Sequence, residues 1–187
     1  MTNLRTTDVL INALSDLNDL LAASETTIEL TIVGSMAIYL NGLDINRMTE
    51  DIDYIDYYAS NEFIQMTKSI AQKYDLPSDW INSRAKDIEP LPSEIQKNLK
   101  LDNRFSNMTL KYIDIDTAIQ MKVYAYYIRG LEKDLSDLKT LTPNTSQLTK
   151  GVEYIQTQII HHHGKSQFDK DEAEINELLE FLKNELN

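Results

Sequence analysis

Residues 28–58 constrain this chain more than any other stretch: IELTIVGSMAIYLNGLDINRMTEDIDYIDYY. Ile28 to Val33 is β-branched and apolar, the profile of a buried strand. Gly34-Ser35 breaks that run, and Ser35 to Leu40 reads as a short helix closed by Asn41-Gly42. A loop, Leu43 to Glu50, leads into a second strand, Asp51 to Tyr57. Side chains alternate across a strand, so Asp51 and Asp53 project from one face while Ile52 and Tyr54 project from the other. A pair of carboxylates held together at a strand end suits a hard divalent cation, Mg²⁺ above all. Gly34 lets the backbone approach a ligand closely, and the N–H groups of the helix that Ser35 opens can take a phosphate. A phosphate cradle beside a metal site implies phosphoryl or nucleotidyl chemistry.

The flanking sequence places this stretch in a mixed fold. Asp8 to Ala23 is an amphipathic helix, with Val9, Leu10, Ala13, Leu14, Leu17, Leu20 and Leu21 at helical spacing. A further helix runs from Asn61 to Tyr74 and is ended by Leu76-Pro77. Pro77 to Asn107 is irregular, holding Pro77, Pro90, Pro92 and Trp80, which reads as an anchor packing this segment onto the domain. Met108 to Ile115 reads as a third strand. Asp116 then caps a long helix, Thr117 to Leu141, which Pro143 terminates. Helices at Ser146 to Ile160 and Phe168 to Leu186 follow, separated by HHHGKSQ. The His161-His162-His163 run reads as a solvated helix terminus rather than a metal site, because adjacent helical residues point in different directions. The expected fold is α/β (α+β), a small mixed sheet with flanking helices and a C-terminal helical lobe. Its expected division is a core lobe over 1–116 and a helical lobe over 117–187, together one compact unit.

Charge narrows the partners. A net charge of −12, with the acids scattered, leaves no basic footprint of the kind that grips a phosphate backbone. A long RNA or DNA is disfavoured, and a cationic small molecule or a cognate partner protein is easier to reconcile. No apolar run approaches the roughly 20 residues of a spanning helix, and the N-terminus lacks a signal-peptide layout. The absence of cysteine fits a cytoplasmic location.

The segment VGSMAIYLNGLDINRMTEDIDYI resembles the signature of the polymerase-β-like nucleotidyltransferases: a hydrophobic residue, Gly-Ser, a spacer, then Asp-hydrophobic-Asp. Its form from Arg47 to Asp53, R-x-T-x-D-I-D, is similar to a bacterial branch related to the AbiEii abortive-infection toxins and the minimal nucleotidyltransferases. Asp79-Trp80-Ile81-Asn82 resembles a W-L-N motif, Met121-Lys122 a helix lysine, and Arg129 with Lys133 to Leu138 an R-x(3)-R-D-L-x-D-L segment of that branch. The resemblance implies transfer of a nucleoside monophosphate from an NTP, ATP or GTP, to a hydroxyl acceptor. Gly34 and Ser35 would hold the β- and γ-phosphates, and Asp51 and Asp53 would bind Mg²⁺. It also implies a third carboxylate on the next central strand, for which Asp114 is the candidate. Lys122, Arg129 and Lys133 share a narrow stripe with Tyr126 on the long helix; that stripe is a phosphate contact or a solvated set of ion pairs to Glu132 or Asp137. Asp134 and Asp137 match the family segment, or simply pair with Arg129 and Lys133. Arg47 has two readings, a phosphate contact or a counter-charge to the acids. Tyr126 would stack on a base or accept a nucleotide. Three functional readings follow: a defence or toxin–antitoxin nucleotidyltransferase, an inactive binding module of the same fold, and an aminoglycoside-type small-molecule nucleotidyltransferase.

Overall fold

A computed structural model describes residues 6–45, 49, 51–56, 58–88 and 90–186. The chain forms a mixed α/β fold, a small mixed sheet with flanking helices and a C-terminal helical lobe. Two compact units are built from discontinuous segments, residues 1–87 with 99–113, and residues 88–98 with 114–187.

The first unit carries α1 (Thr6–Ala23), β1 (Ile28–Val33), α2 (Gly34–Leu40), β2 (Ile52–Tyr54), α3 (Asn61–Tyr74), β3 (Ile81–Asn82), β4 (Lys100–Asp102) and β5 (Met108–Tyr112). Its sheet has the order β3-β2-β1-β5-β4. β1 runs parallel to β5 and antiparallel to β2, while β3 runs parallel to β2 and β4 antiparallel to β5. Register gives the sheet two different faces. Leu30, Ile32, Ile52, Tyr54, Ile81, Met108 and Leu110 share one face, and all are buried. Glu29, Thr31, Asp53, Asn82, Thr109 and Lys111 share the other with Val33, its buried apolar member. Alternation of side chains produces this division, and burial of the apolar face drives it. Leu10, Leu14 and Leu17 of α1 and Phe63 and Ile70 of α3 complete the core of this unit. Ser60 caps α3, accepting the Phe63 N–H at 3.1 Å.

The irregular Pro77 to Asn107 segment supplies both edges of the sheet, β3 and β4. Strands this short show no period of their own, so their pairing is set by neighbours rather than by local pattern. Trp80 is fully buried, and its indole N–H donates to the Thr67 carbonyl at 2.9 Å, so it does anchor the segment onto α3. The strand expected over Asp51 to Tyr57 is shorter: β2 is Ile52–Tyr54, Asp51 precedes it, and Tyr57 lies outside the described residues.

The second unit carries α4 (Ile115–Arg129), α5 (Glu132–Leu141), α6 (Thr145–His163) and α7 (Lys165–Leu186). The single long helix expected over Thr117 to Leu141 is two helices. Gly130 takes a left-handed conformation at φ 59°, and its N–H closes α4 on the Tyr126 carbonyl at 2.7 Å. Glycine enters that region without the Cβ penalty, and the apolar period resumes beyond it, which is why spacing alone reads as continuous. The cap also differs from expectation. Asp114, not Asp116, caps α4, its Oδ1 accepting the Thr117 N–H at 2.9 Å, while Asp116 Oδ1 accepts from Gln147 Nε2 at 2.6 Å. α6 packs on α4 so closely that a Cβ on Gly151 would lie 2.8 Å from Val123 Cβ. Tyr126 stacks on Phe181 at 6.1 Å between ring centroids, and His161, His162 and His163 are exposed in the last turn of α6. Among the described residues, no helix is long and apolar enough to cross a membrane.

Candidate functional site

The site residues of the first unit are brought together by strand register. Val33, the last residue of β1, pairs with Asp53 of β2, and Asp53 pairs in turn with Asn82 of β3. One row of three adjacent strands therefore ends in Val33-Gly34, Asp53 and Asn82. Gly34 opens α2 at φ +66°, a backbone region that L side chains rarely adopt. A Cβ built on Gly34 would stand 3.0 Å from Asp53 Oδ2. The glycine is thus required twice, by its backbone conformation and by the carboxylate against it. Asn41 fixes the far end of α2, its Nδ2 donating to the Ala37 carbonyl at 2.8 Å and the Ile113 carbonyl at 2.9 Å. Lys100 Nζ reaches the same residue's Oδ1 at 2.6 Å, tying α2 to β4.

The acids of Asp51-Ile52-Asp53-Tyr54-Ile55-Asp56 have different surroundings. Asp56 accepts the Thr31 N–H at 2.7 Å and the Thr31 hydroxyl, fastening the end of β2 to β1. Asp53 is half-buried beside Gly34, and Asp51 is exposed just ahead of the strand. Thr49 is buried, and its hydroxyl lies 3.5 Å from the Asp51 carbonyl, which gives the threonine of the R-x-T-x-D segment a positioning role for that backbone. Ser35 is buried at the start of α2. Arg47 lies outside the described residues.

Asn82 is the residue of this row that the sequence left without a role. Trp80 places it. The Trp80 carbonyl accepts the Ile52 N–H at 2.6 Å, which sets the β2–β3 register and so puts Asn82 beside Asp53. The signal was present in Asp79-Trp80-Ile81-Asn82, but only the pairing shows that the asparagine sits next to an acid of the Asp-x-Asp pair.

The remaining candidates belong to the second unit. Lys122 is buried, with Nζ 2.6 Å from Asp137 Oδ2 and 3.5 Å from Asp134 Oδ1. Arg129 holds Asp134 through Nε at 3.1 Å and Nη2 at 2.7 Å. Both carboxylates are buried, and they reach α4 because Gly130 lets α5 fold back on it. Lys122, Arg129 and Lys133 therefore do not form one helical stripe, since Lys133 lies on α5. Among the contacts described, Lys122 and Arg129 face Asp134 and Asp137, the pairing that buried charges require. Asp114 serves as the α4 cap. Among the described residues, no group of three or more His, Cys, Asp or Glu is placed to hold a metal ion.

The family model described as "nucleotidyltransferase of unknown function (DUF6036)" matches residues 8–177. The chain belongs to that family. It is a nucleotidyltransferase-like domain within the polymerase-β-like superfamily, the level to which the Gly-Ser and Asp-x-Asp signature pointed. No curated protein and no solved structure matches the chain. As a DUF6036 domain, it carries its Gly-Ser turn and the Asp51 and Asp53 acids in the first unit and its ion-paired lysine–arginine cluster in the second.

Proposed function

We propose that this chain is a Mg²⁺-dependent nucleotidyltransferase that moves a nucleoside monophosphate from an NTP to a hydroxyl acceptor. One observation carries the reading: Gly34, the turn that lets backbone approach a phosphate, lies directly against the Asp53 carboxylate. Mg²⁺ commonly takes one or two carboxylates and completes its shell with water and substrate phosphate oxygens. Asp51 and Asp53, with the Gly34-Ser35 turn alongside, are a donor set that fits this mode. The chemistry the metal supplies is charge neutralisation on the phosphates and alignment of the attacking oxygen. In this reading Gly34 and Ser35 hold the β- and γ-phosphates, and Asp51 and Asp53 hold the metal. The acceptor oxygen bonds to the α-phosphorus, the bond to the β-phosphate bridging oxygen breaks, pyrophosphate leaves, and the hydroxyl proton passes to solvent.

A protein side chain or a cationic small molecule suits a chain of net charge −12 better than a bare nucleic acid backbone. The resemblance of Arg47 to Asp53 to the abortive-infection branch supports a defence or toxin–antitoxin setting with a cognate partner protein. One observation favours a second reading, a binding module of this fold without catalysis. Asp114, which the family pattern offers as third carboxylate, has its Oδ1 taken by the Thr117 N–H.

Incubation with each labelled NTP and Mg²⁺, followed by a search for label on the protein, on candidate partner proteins and on small hydroxylated amines, separates the two readings. Transfer that disappears in Asp51→Ala and Asp53→Ala, with circular dichroism unchanged, is the expected result. Mg²⁺-dependent NTP binding without transfer would select the binding module. Full activity in either alanine variant would sink the metal assignment.

A further inference from the structure

We propose that Asn82 is a phosphate-binding residue of the nucleotide site, donating a side-chain N–H to the polyphosphate held beside Asp53. This rests on the nucleotide site proposed above. Residues paired on adjacent strands project to the same face, so Asn82 and Asp53 stand side by side on one face of the sheet. The Asn82 carboxamide is held in place. Its Oδ1 accepts the Arg84 N–H at 3.0 Å, and its Nδ2 donates to the Asp79 carbonyl at 3.3 Å. A carboxamide carries two N–H donors, and the bond to Asp79 uses one of them. A fixed, neutral donor next to a carboxylate suits a phosphate oxygen, because it adds no charge that would compete with the metal for the acid. Asn82 and Arg84 also line a cavity of about 500 Å³ at the β3 edge, together with Tyr54, Phe63 and Thr67. Tyr54 lies on the sheet face opposite Asp53, so this cavity bounds the β3 edge and is not the space that would hold the polyphosphate. Trp80 is the device that fixes this placement, because its buried ring and its carbonyl set the register that brings Asn82 to Asp53.

A purely local role is the competing explanation, in which Asn82 only shapes the turn from Asp79 to Arg84. Asn82→Asp keeps the oxygen that accepts the Arg84 N–H and loses both donors, the one to Asp79 included, so unfolding of each variant reports the turn and probe binding reports the contact. The experiment measures binding of Mg²⁺-tripolyphosphate and of Mg²⁺-NTP to the full chain by calorimetry, for wild type, Asp53→Asn, Asn82→Ala and Asn82→Asp, with thermal unfolding of each. The expected result is wild-type binding of both probes and its loss in Asp53→Asn. Asn82→Ala should weaken both probes about tenfold or more, and Asn82→Asp should weaken them further while unfolding as wild type does. Binding by both Asn82 variants at wild-type affinity would overturn the inference and leave the nucleotide site standing. Weakening of NTP alone, with tripolyphosphate unaffected, would overturn the phosphate contact, since Asn82 would then read the nucleoside. Failure of the wild type to bind either probe would overturn the nucleotide site itself, and this inference with it.

Discussion

A methyl group at Gly34 would meet Asp53 Oδ2 at 3.0 Å on a backbone that already stands at φ +66°. Gly34→Ala therefore combines a left-handed penalty of about 1–2 kcal/mol with displacement of the carboxylate. The expected outcome is a modest loss of stability in urea and loss of Mg²⁺-dependent NTP binding; retention of wild-type affinity would show that the turn and the acid do not act together. Lys122 behaves differently. It is buried between Asp134 and Asp137, so Lys122→Met takes one cation out of a buried network that holds two carboxylates. Breaking such a buried network by removing one partner costs about 3–5 kcal/mol, which chemical denaturation would measure directly. Asp137→Asn should restore part of that loss when combined with Lys122→Met, because it neutralises the carboxylate that Lys122 meets at 2.6 Å.

At the scale of elements, glycines decide how helices meet. Gly130 ends α4 in a left-handed cap, and this break brings Asp134 and Asp137 back to Lys122 and Arg129. Gly151 lets α6 approach α4, where an added Cβ would lie 2.8 Å from both Val123 Cβ and Val123 Cγ2. Gly151→Ala should destabilise the fold by about 1–3 kcal/mol through overpacking. Val123→Ala in the same chain should relieve part of that cost, since the two residues share one contact. A double-mutant cycle reads this coupling, and strict additivity would mean that the helices do not press against each other at Gly151. β2 and β3 meet by another route, through Trp80, whose carbonyl takes the Ile52 N–H at 2.6 Å while its ring is buried against α3.

Across the whole molecule, pH acts most clearly through buried and half-buried phenols of the second unit. Burial pushes the Tyr124 and Tyr127 hydroxyls above the ordinary tyrosine value, and for Tyr127 the nearby Asp171 and Glu174 add to it. Burial likewise raises Tyr154, whose hydroxyl donates to the Pro90 carbonyl at 3.1 Å. These groups keep their protons longer in the folded state than in the unfolded one. Above the unfolded value of about 10, the unfolded state binds fewer protons, so stability falls as pH rises toward the folded values. Denaturation midpoints should be level up to about pH 9 and decline beyond about pH 10, with a shallower decline in Tyr154→Phe. A level profile through the alkaline range would contradict the burial of these phenols. Much of this architecture can be read from residue order. Helix spacing gives α1, α3, α6 and α7 nearly as they stand, and the break at Gly34-Ser35 and the Asp51-Ile52-Asp53 alternation mark the stretch from which the candidate site is built. These are local properties, fixed by side-chain period and by what a glycine permits. Tertiary structure alone decided the rest. The edge strands β3 and β4 hold two and three residues, too few to show a period, and they exist because neighbouring strands and Trp80 offer them partners. Asp114 took the cap expected of Asp116, and Asp116 meets Gln147 instead, because a helix start depends on which N–H each carboxylate reaches. Lys122 met its buried acids, and Asn82 met Asp53, only through pairings between segments distant in sequence, which local periodicity does not record.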